Sequence, residues 1–94
     1  MKLGDLIKAR VGEQEADFWI VRRGSEDQVG RPTKTFNPQH IGIKVIATDS
    51  LDPNYLYYFL EYLWSQGIFK KIATGSLRLV NIKVSDILNI PVKQ

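Results

Sequence analysis

The residues of this chain that could do chemistry are mostly cations. It has 13 Lys and Arg residues against 10 Asp and Glu residues, and the surplus is unevenly placed. Residues 70–94 hold five cations and one anion, a net charge of +4, whereas residues 1–69 hold eight cations and nine anions, a net charge of −1. A basic end of this kind fits a polyanion such as nucleic acid, and a solvated surface rich in lysine is the alternative interpretation.

Catalysis has few candidate groups in the sequence. Cysteine is absent, which excludes disulfides, thiolate nucleophiles and cysteine-based zinc or iron–sulfur sites. A histidine-rich metal site or a Ser-His-Asp triad would depend on His40 alone. Neither a phosphate-binding glycine pattern nor carboxylates clustered with a lysine occur. We therefore predict a non-enzymatic protein without a catalytic residue, a cofactor or a metal.

The cellular setting is predicted from apolar segments. The N-terminal residues, Met1 to Asp5, do not begin an apolar run of signal-peptide length. No later stretch approaches the roughly 20 apolar residues of a membrane span. We expect no membrane partner and, by default, a reduced cytoplasmic setting.

The elements that must position the cations fit one small domain. With 94 residues, 44% of them hydrophobic, the chain supports a single thin core over residues 1–94, to which ten aromatic residues contribute. We predict the α+β class: a small antiparallel sheet packed on one long aromatic-rich helix, with short flanking helices.

Four segments are predicted strands of that sheet. Ala16–Val21 is β-branched and aromatic, and Ile41–Thr48 alternates so that one face is mostly apolar, so the two are expected to pair antiparallel. Leu77–Ile82 and Ile90–Val92 are expected to complete the sheet. Between the first two strands, residues 22–40 lack periodicity and predict one long loop, and residues 24–39 within it are expected to be the most mobile internal segment.

The strongest helix signal begins at Asp52-Pro53, a capping carboxylate followed by proline, and predicts a helix over Pro53–Gln66 that stops at Gly67. Its many aromatic residues indicate either a central core helix or an aromatic patch for a partner. Shorter helical turns are predicted over residues 68–73 and at Ser85-Asp86. A helix is also predicted over residues 2–11, where the spacing of the apolar residues also allows a partly extended segment: Leu3, Leu6, Ile7 and Val11.

The C-terminal half carries five short motifs in a fixed order. They read Asp52-Pro53-Asn54-Tyr55-Leu56-Tyr57-Tyr58-Phe59-Leu60, Lys70-Lys71-Ile72-Ala73-Thr74-Gly75-Ser76, Asn81-Ile82, Ser85-Asp86-Ile87 and Ile90-Pro91-Val92. In this order the sequence resembles the target recognition domain of type I restriction–modification DNA specificity subunits. The resemblance covers the C-terminal half well and the N-terminal half weakly.

The resemblance also has departures. A full specificity subunit carries two recognition domains separated by long helices that dock methyltransferase subunits. This chain stops at Lys93-Gln94, where such a helix would begin, and it is shorter than one typical recognition domain. The resemblance therefore implies the fold and DNA contact more strongly than it implies a place in an assembled restriction enzyme.

The leading functional prediction is a non-catalytic module that binds duplex DNA. Phosphate contacts are expected from Lys70, Lys71 and Lys83. Base contacts are expected from the loop residues Arg22, Arg23, Arg31 and Lys34, and from Arg78, because arginine grips guanine O6 and N7 in the major groove. For each cation, a solvated surface charge is the alternative.

A protein-interaction module is the rival prediction. Such a fragment, for example one from a mobile element, would pair with restriction–modification subunits or with itself through the aromatic helix. Salt separates the two predictions, because DNA affinity falls steeply with salt and an aromatic protein interface responds little.

Overall fold

The computed structural model describes residues 1–76 and 78–93. A 3-10 helix over Leu3–Asp5 opens the chain. The strands are β1 (Ile7–Val11), β2 (Phe18–Ile20), β3 (Arg23–Gly24), β4 (Pro32–Thr33), β5 (Ile41–Val45), β6 (Thr74–Gly75) and β7 (Val80–Asn81). The helices are α1 (Pro53–Ser65), α2 (Ile68–Ile72) and α3 (Val84–Leu88). The predicted α+β class is confirmed.

The larger sheet has four antiparallel strands in the order β1-β5-β2-β4. Its register places Ile43 opposite Ala9 on one side and Phe18 on the other. Phe18, Ile20, Ile41 and Ile43 have no exposed surface, so they form the centre of the core. The predicted antiparallel pairing of the second strand segment with the first is therefore confirmed.

The long helix packs over β2 and β4. Asp52 caps α1 by accepting a hydrogen bond from the Asn54 N–H at 3.4 Å. The Tyr57 ring meets Phe18 edge to face at 5.3 Å, and its hydroxyl donates to the Pro32 carbonyl at 3.4 Å. The predicted helix and its packing on the sheet are confirmed. Gly67 follows with a φ of +76°, the left-handed conformation expected at the end of a helix.

α1 is a surface helix rather than a wholly central one. Only Leu56 and Leu60 are fully buried, four residues apart on the face that meets the core. Tyr55, Tyr58 and Tyr62, spaced by three and four residues, are 65%, 65% and 59% exposed. We call these three residues the tyrosine face.

The predicted sheet composition is wrong. β7 belongs to a second, three-stranded antiparallel sheet in the order β3-β7-β6. Ile90–Val92 is not a strand of either sheet, because Pro91 forms only an isolated bridge with Lys2. Leu77, the first residue of the predicted third strand, lies outside the described residues.

The predicted helix over residues 2–11 is also wrong beyond its first turn. Residues 7–11 are extended and pair with β5, with Ile7 opposite Val45 and Val11 opposite Ile41. Ile7 and Ala9 alternate with Lys8 and Arg10 at a period of two, and pairing with β5 favours this period over the helical one. The partly extended alternative is the correct one.

The segment 22–40 is not one open loop. It contributes β3 and β4, and Val29 within it is fully buried. The Gly30 backbone lies against the ring of Phe69, and the Trp64 indole N–H donates to the Asp27 carbonyl at 3.0 Å. The segment is therefore packed at its middle against α1 and α2, which removes the basis for expecting it to be mobile throughout.

Two glycines with similar left-handed backbones allow a matched stability test. A Cβ on Gly30 (φ +88°) would lie 2.3 Å from the Phe69 ring, whereas a Cβ on Gly67 (φ +76°) meets nothing within 4 Å. We expect Gly67→Ala to lower the free energy of unfolding by about 1–2 kcal/mol through backbone strain alone. Gly30→Ala adds overpacking and should lower it by about 3 kcal/mol or more. Urea unfolding of both variants measures this, and equal losses would contradict the packed position of Gly30.

Candidate nucleic-acid interface

The second sheet presents a row of polar side chains. β7 lies between its neighbours, and the register sets Arg23 and Thr74 on either side of Asn81. Residues directly opposite in an antiparallel sheet project from the same face. Arg23 and Thr74 are exposed and Asn81 is half-buried. We call Arg23, Asn81 and Thr74 the polar row.

The opposite face of this sheet explains its orientation. There the register sets Gly24 and Gly75 on either side of Val80, which is only 7% exposed. On this face the outer strands β3 and β6 carry only Gly24 and Gly75, so it packs toward the core. The polar row on the other face is therefore directed toward solvent. Gly75 is required here, since its φ is +142° and a Cβ would lie 2.4 Å from the Leu79 carbonyl oxygen.

A short hairpin joins β6 to β7. The Ser76 N–H donates to the Leu79 carbonyl at 3.0 Å, and the Ser76 hydroxyl donates to the same oxygen at 3.4 Å. Arg78 is exposed within this connection. The hairpin therefore holds a cation beside the end of the polar row.

Three predicted phosphate contacts lie in segments next to this sheet. Lys70 and Lys71 are exposed on α2, which leads into β6, and Lys83 is exposed two residues after β7. Lys70 is partly neutralised, because its ammonium lies 3.9 Å from a Glu26 carboxylate oxygen and 3.7 Å from one of Asp27. Within the described ranges Lys71 has no ion pair, which leaves its charge available to a phosphate.

The other predicted base-contacting residues are engaged elsewhere. Arg22 is half-buried, and its Nε donates to the Gln39 carbonyl at 2.9 Å. The Arg31 guanidinium lies 5.5 Å from the centre of the Trp64 ring. The Lys34 ammonium lies 4.5 Å from the Tyr57 ring. Apart from Arg22, the sequence-predicted cations form two groups: Arg31 and Lys34 lie against α1, and the others lie on or next to the second sheet, namely Arg23, Lys70, Lys71, Arg78 and Lys83.

Two residues of the row were missed by the sequence analysis. Asn81 and Thr74 are uncharged, so an analysis based on charge does not select them. The local signal next to them is weak: Gly75 follows Thr74, and Val80 precedes Asn81 within a short run that also contains Leu79 and Ile82. Only the strand register shows that Asn81 faces both Arg23 and Thr74.

Other kinds of site are less supported. Among residues 1–76 and 78–93, no group of three or more His, Cys, Asp or Glu side chains is placed to hold a metal ion. None of the helices in the same part of the chain is long and apolar enough to cross a membrane. A groove of about 890 Å³ lies beside the start of α1, and apolar residues dominate its lining, including Leu3, Leu51, Leu56, Phe59 and Val92.

Comparison of the chain with protein-family models, with curated proteins and with solved structures gives no match. The resemblance of the C-terminal half to target recognition domains therefore remains a prediction from its residues. What the chain binds is argued from the polar row and the cations around it.

The single histidine provides a test of its local environment. His40 is half-buried next to β5, and burial lowers its pKa from the ordinary value of 6.5. The unfolded chain then takes up a proton more readily than the folded chain, so the free energy of unfolding should fall as the pH drops through 6.5. NMR titration of the imidazole should give a pKa below 6.5. His40→Gln should remove this part of the pH dependence, and a pKa at or above 6.5 would contradict the burial.

Proposed function

We propose that this chain is a non-catalytic module that binds duplex DNA through its second sheet. The observation that carries the proposal is the polar row aligned across three strands, in which Arg23 and Thr74 are exposed and Asn81 is half-buried. An aligned row of hydrogen-bonding side chains on a narrow sheet is suited to the base edges in a groove.

The residue types match the donors and acceptors of the major groove. Arginine donates two hydrogen bonds to guanine O6 and N7, asparagine pairs with adenine N6 and N7, and threonine bonds to several bases. Neighbouring strands are about 4.8 Å apart, so the three strands span about 10 Å between the outer two, within a groove about 12 Å wide. Arg23 would therefore read guanine and Asn81 adenine at neighbouring positions.

Phosphate contacts follow from the cations beside the row. Lys71, Arg78 and Lys83 are exposed on the segments before, within and after the β6–β7 hairpin. Lys70 would exchange its carboxylate partners Glu26 and Asp27 for a phosphate, at low cost because exposed ion pairs are weak. A smaller contribution to DNA binding is expected from Arg22, Arg31 and Lys34, because their side chains already contact a backbone carbonyl or aromatic rings.

The resemblance to target recognition domains supports the same proposal. Its motifs include Thr74, Gly75 and Asn81, which build the polar row and its support. The proposed setting is therefore a restriction–modification system in the cytoplasm, with duplex DNA as the partner and no cofactor.

Two variants separate the roles in DNA binding. Lys71→Ala should weaken binding about equally on all duplexes and reduce the slope of log affinity against log salt by roughly 1. Asn81→Ala should cost about 1–3 kcal/mol on a selected site and little on random duplex. Fluorescence anisotropy at several salt concentrations measures both effects.

The matched control is Lys93→Ala, which removes one exposed charge from the same basic segment. Lys93 lines the groove at the start of α1, whereas Lys71 lies on α2 after the other end of that helix, whose 13 residues span about 20 Å. Affinity should be retained in this control. Equal losses in Lys71→Ala and Lys93→Ala would show a general charge effect, and no binding by the unaltered protein at low salt would overturn the proposal.

The tyrosine face supports a second candidate function, a protein-interaction module that associates with itself. Tyr55, Tyr58 and Tyr62 are each more than half exposed, and Phe59 stacks on Tyr55 at 6.4 Å with 6° between the ring planes. Tyrosine is enriched at protein interfaces, because it buries a large area and retains a hydroxyl for hydrogen bonding. An aligned aromatic face of this kind is suited to pairing with the same face of a second copy.

Sedimentation equilibrium tests the second candidate. If α1 mediates pairing, the apparent mass should rise with protein concentration, and a double variant, Tyr58→Ser with Tyr62→Ser, should shift it toward the monomer. Both side chains are exposed, so the melting temperature should change little. Lys8→Ala, at an exposed residue of β1, serves as the control, and a monomer at all concentrations would exclude self-association through this face.

A further inference from the structure

β1 leaves one of its edges unpaired in the larger sheet. It is the outermost strand and, within the described residues, pairs with β5 only, while α3 packs beside it and Leu88 of α3 lines the groove along it. The Gly12 N–H donates to the His40 carbonyl at 3.0 Å and the Ile46 N–H donates to the Leu6 carbonyl at 2.9 Å, which fixes the alternation of the ladder. In that alternation the peptide groups of residues 8 and 10 bond to β5, while those of residues 7, 9 and 11 point away from it. Three successive outward peptide groups are a template for another strand.

The side chains along this edge select the charge of a partner. Lys8 and Arg10 are exposed on the outer face of the sheet, and neither forms an ion pair within residues 1–76 and 78–93. Lys8 lies directly opposite Lys44, whose ammonium is 3.4 Å from Asp17. Asp17 therefore neutralises Lys44, whereas Lys8 and Arg10 form no ion pair in the described part of the chain, although Glu13 and Glu15 line the same groove.

A groove of about 620 Å³ follows the same edge. Its lining combines the charged outer face with apolar groups: Ile7, Ala9 and Leu88 contribute to it together with Lys8 and Arg10. Glu13 and Glu15 also line the groove, but they follow β1 rather than belong to it. Along the strand itself the charge is uniformly positive, and it alternates with small or apolar side chains.

We propose that the free edge of β1 binds an extended acidic segment of another protein by strand addition. Its peptide groups would pair with those of residues 7, 9 and 11. The partner residues opposite Lys8 and Arg10 would then occupy non-hydrogen-bonded pairs, where Cα atoms are about 4.5 Å apart and side chains are closest. The partner is expected to carry acidic residues opposite Lys8 and Arg10, where they neutralise the cations, and a small apolar residue opposite Ala9. This site lies on the other sheet from the polar row, so it does not rest on the DNA proposal.

Two other occupants fit the edge less well. A second copy paired antiparallel about Ala9 would set Lys8 of each chain opposite Arg10 of the other, and like charges directly opposite one another are destabilising. A nucleic acid could contact Lys8 and Arg10, but it would leave the outward peptide groups without a matching backbone. An acidic strand satisfies both the charges and the peptide groups.

The test uses the whole chain and a fluorescein-labelled synthetic heptapeptide that alternates glutamate with valine. We expect saturable binding by anisotropy, with affinity that falls as salt is raised. A peptide of the same composition with its glutamates grouped together, and one with lysine in place of glutamate, should each bind at least about tenfold more weakly. Amide exchange at Ala9 and Val11 should slow when the first peptide is bound, because their N–H groups become paired.

Charge-reversal variants test the role of each cation. Lys8→Glu and Arg10→Glu should each weaken binding of the glutamate peptide about two- to fivefold, and the double variant should prefer the lysine peptide. Lys93→Glu makes the same charge change at an exposed residue outside this site and should bind as the unaltered chain does. If a variant fails to fold, the three peptides and the amide exchange of the unaltered chain still decide the question.

Three results would overturn the proposal. One is the absence of peptide binding and of protection at Ala9 and Val11. Another is protection of the same amides by duplex DNA that competes with the peptide, which would assign the edge to nucleic acid. The third is protection that grows with protein concentration alone, which would assign it to a second copy. DNA binding through the polar row can succeed or fail independently of all three.

Discussion

Phe69 is fully buried, and its ring packs directly against the backbone of Gly30. This contact joins the middle of the segment between β2 and β5 to α2, which leads into β6. β3 belongs to that segment and pairs with β7, so the contact helps to hold both outer strands of the second sheet around β7. The polar row therefore depends on a glycine and a phenylalanine that take no part in it.

The elements predicted correctly are those with a strong local signal. α1 has a capping aspartate, a proline and a dense apolar run, and β5 alternates large apolar residues with Gly42 and Lys44. β1 was mispredicted because its apolar residues fit a helical period as well as a strand period, and only pairing with β5 selects between them. β3, β4, β6 and β7 have two residues each, too few to show any period.

The candidate site was predictable only in part for a similar reason. A count of charges finds Lys70, Lys71 and Lys83, because a cation is visible without knowledge of its neighbours. Asn81 gains its significance from lying between Arg23 and Thr74, which are 58 and 7 residues away along the chain. Arg31 and Lys34 show the converse, since their charges are visible in the sequence but their positions over aromatic rings are not.

The glycines beside Val80 also bear on the dynamics of the second sheet. Of the six residues in its ladder, Val80 alone contributes a buried side chain, whereas each of the four strands of the larger sheet contributes at least one. Little apolar area is exposed when such a sheet detaches, so its local opening costs less free energy than opening of the larger sheet. Of the two sheets, the second is thus the one whose order is more easily lost. A ligand that binds the polar row would restrict this local opening. The conformational entropy lost on binding would lower its affinity.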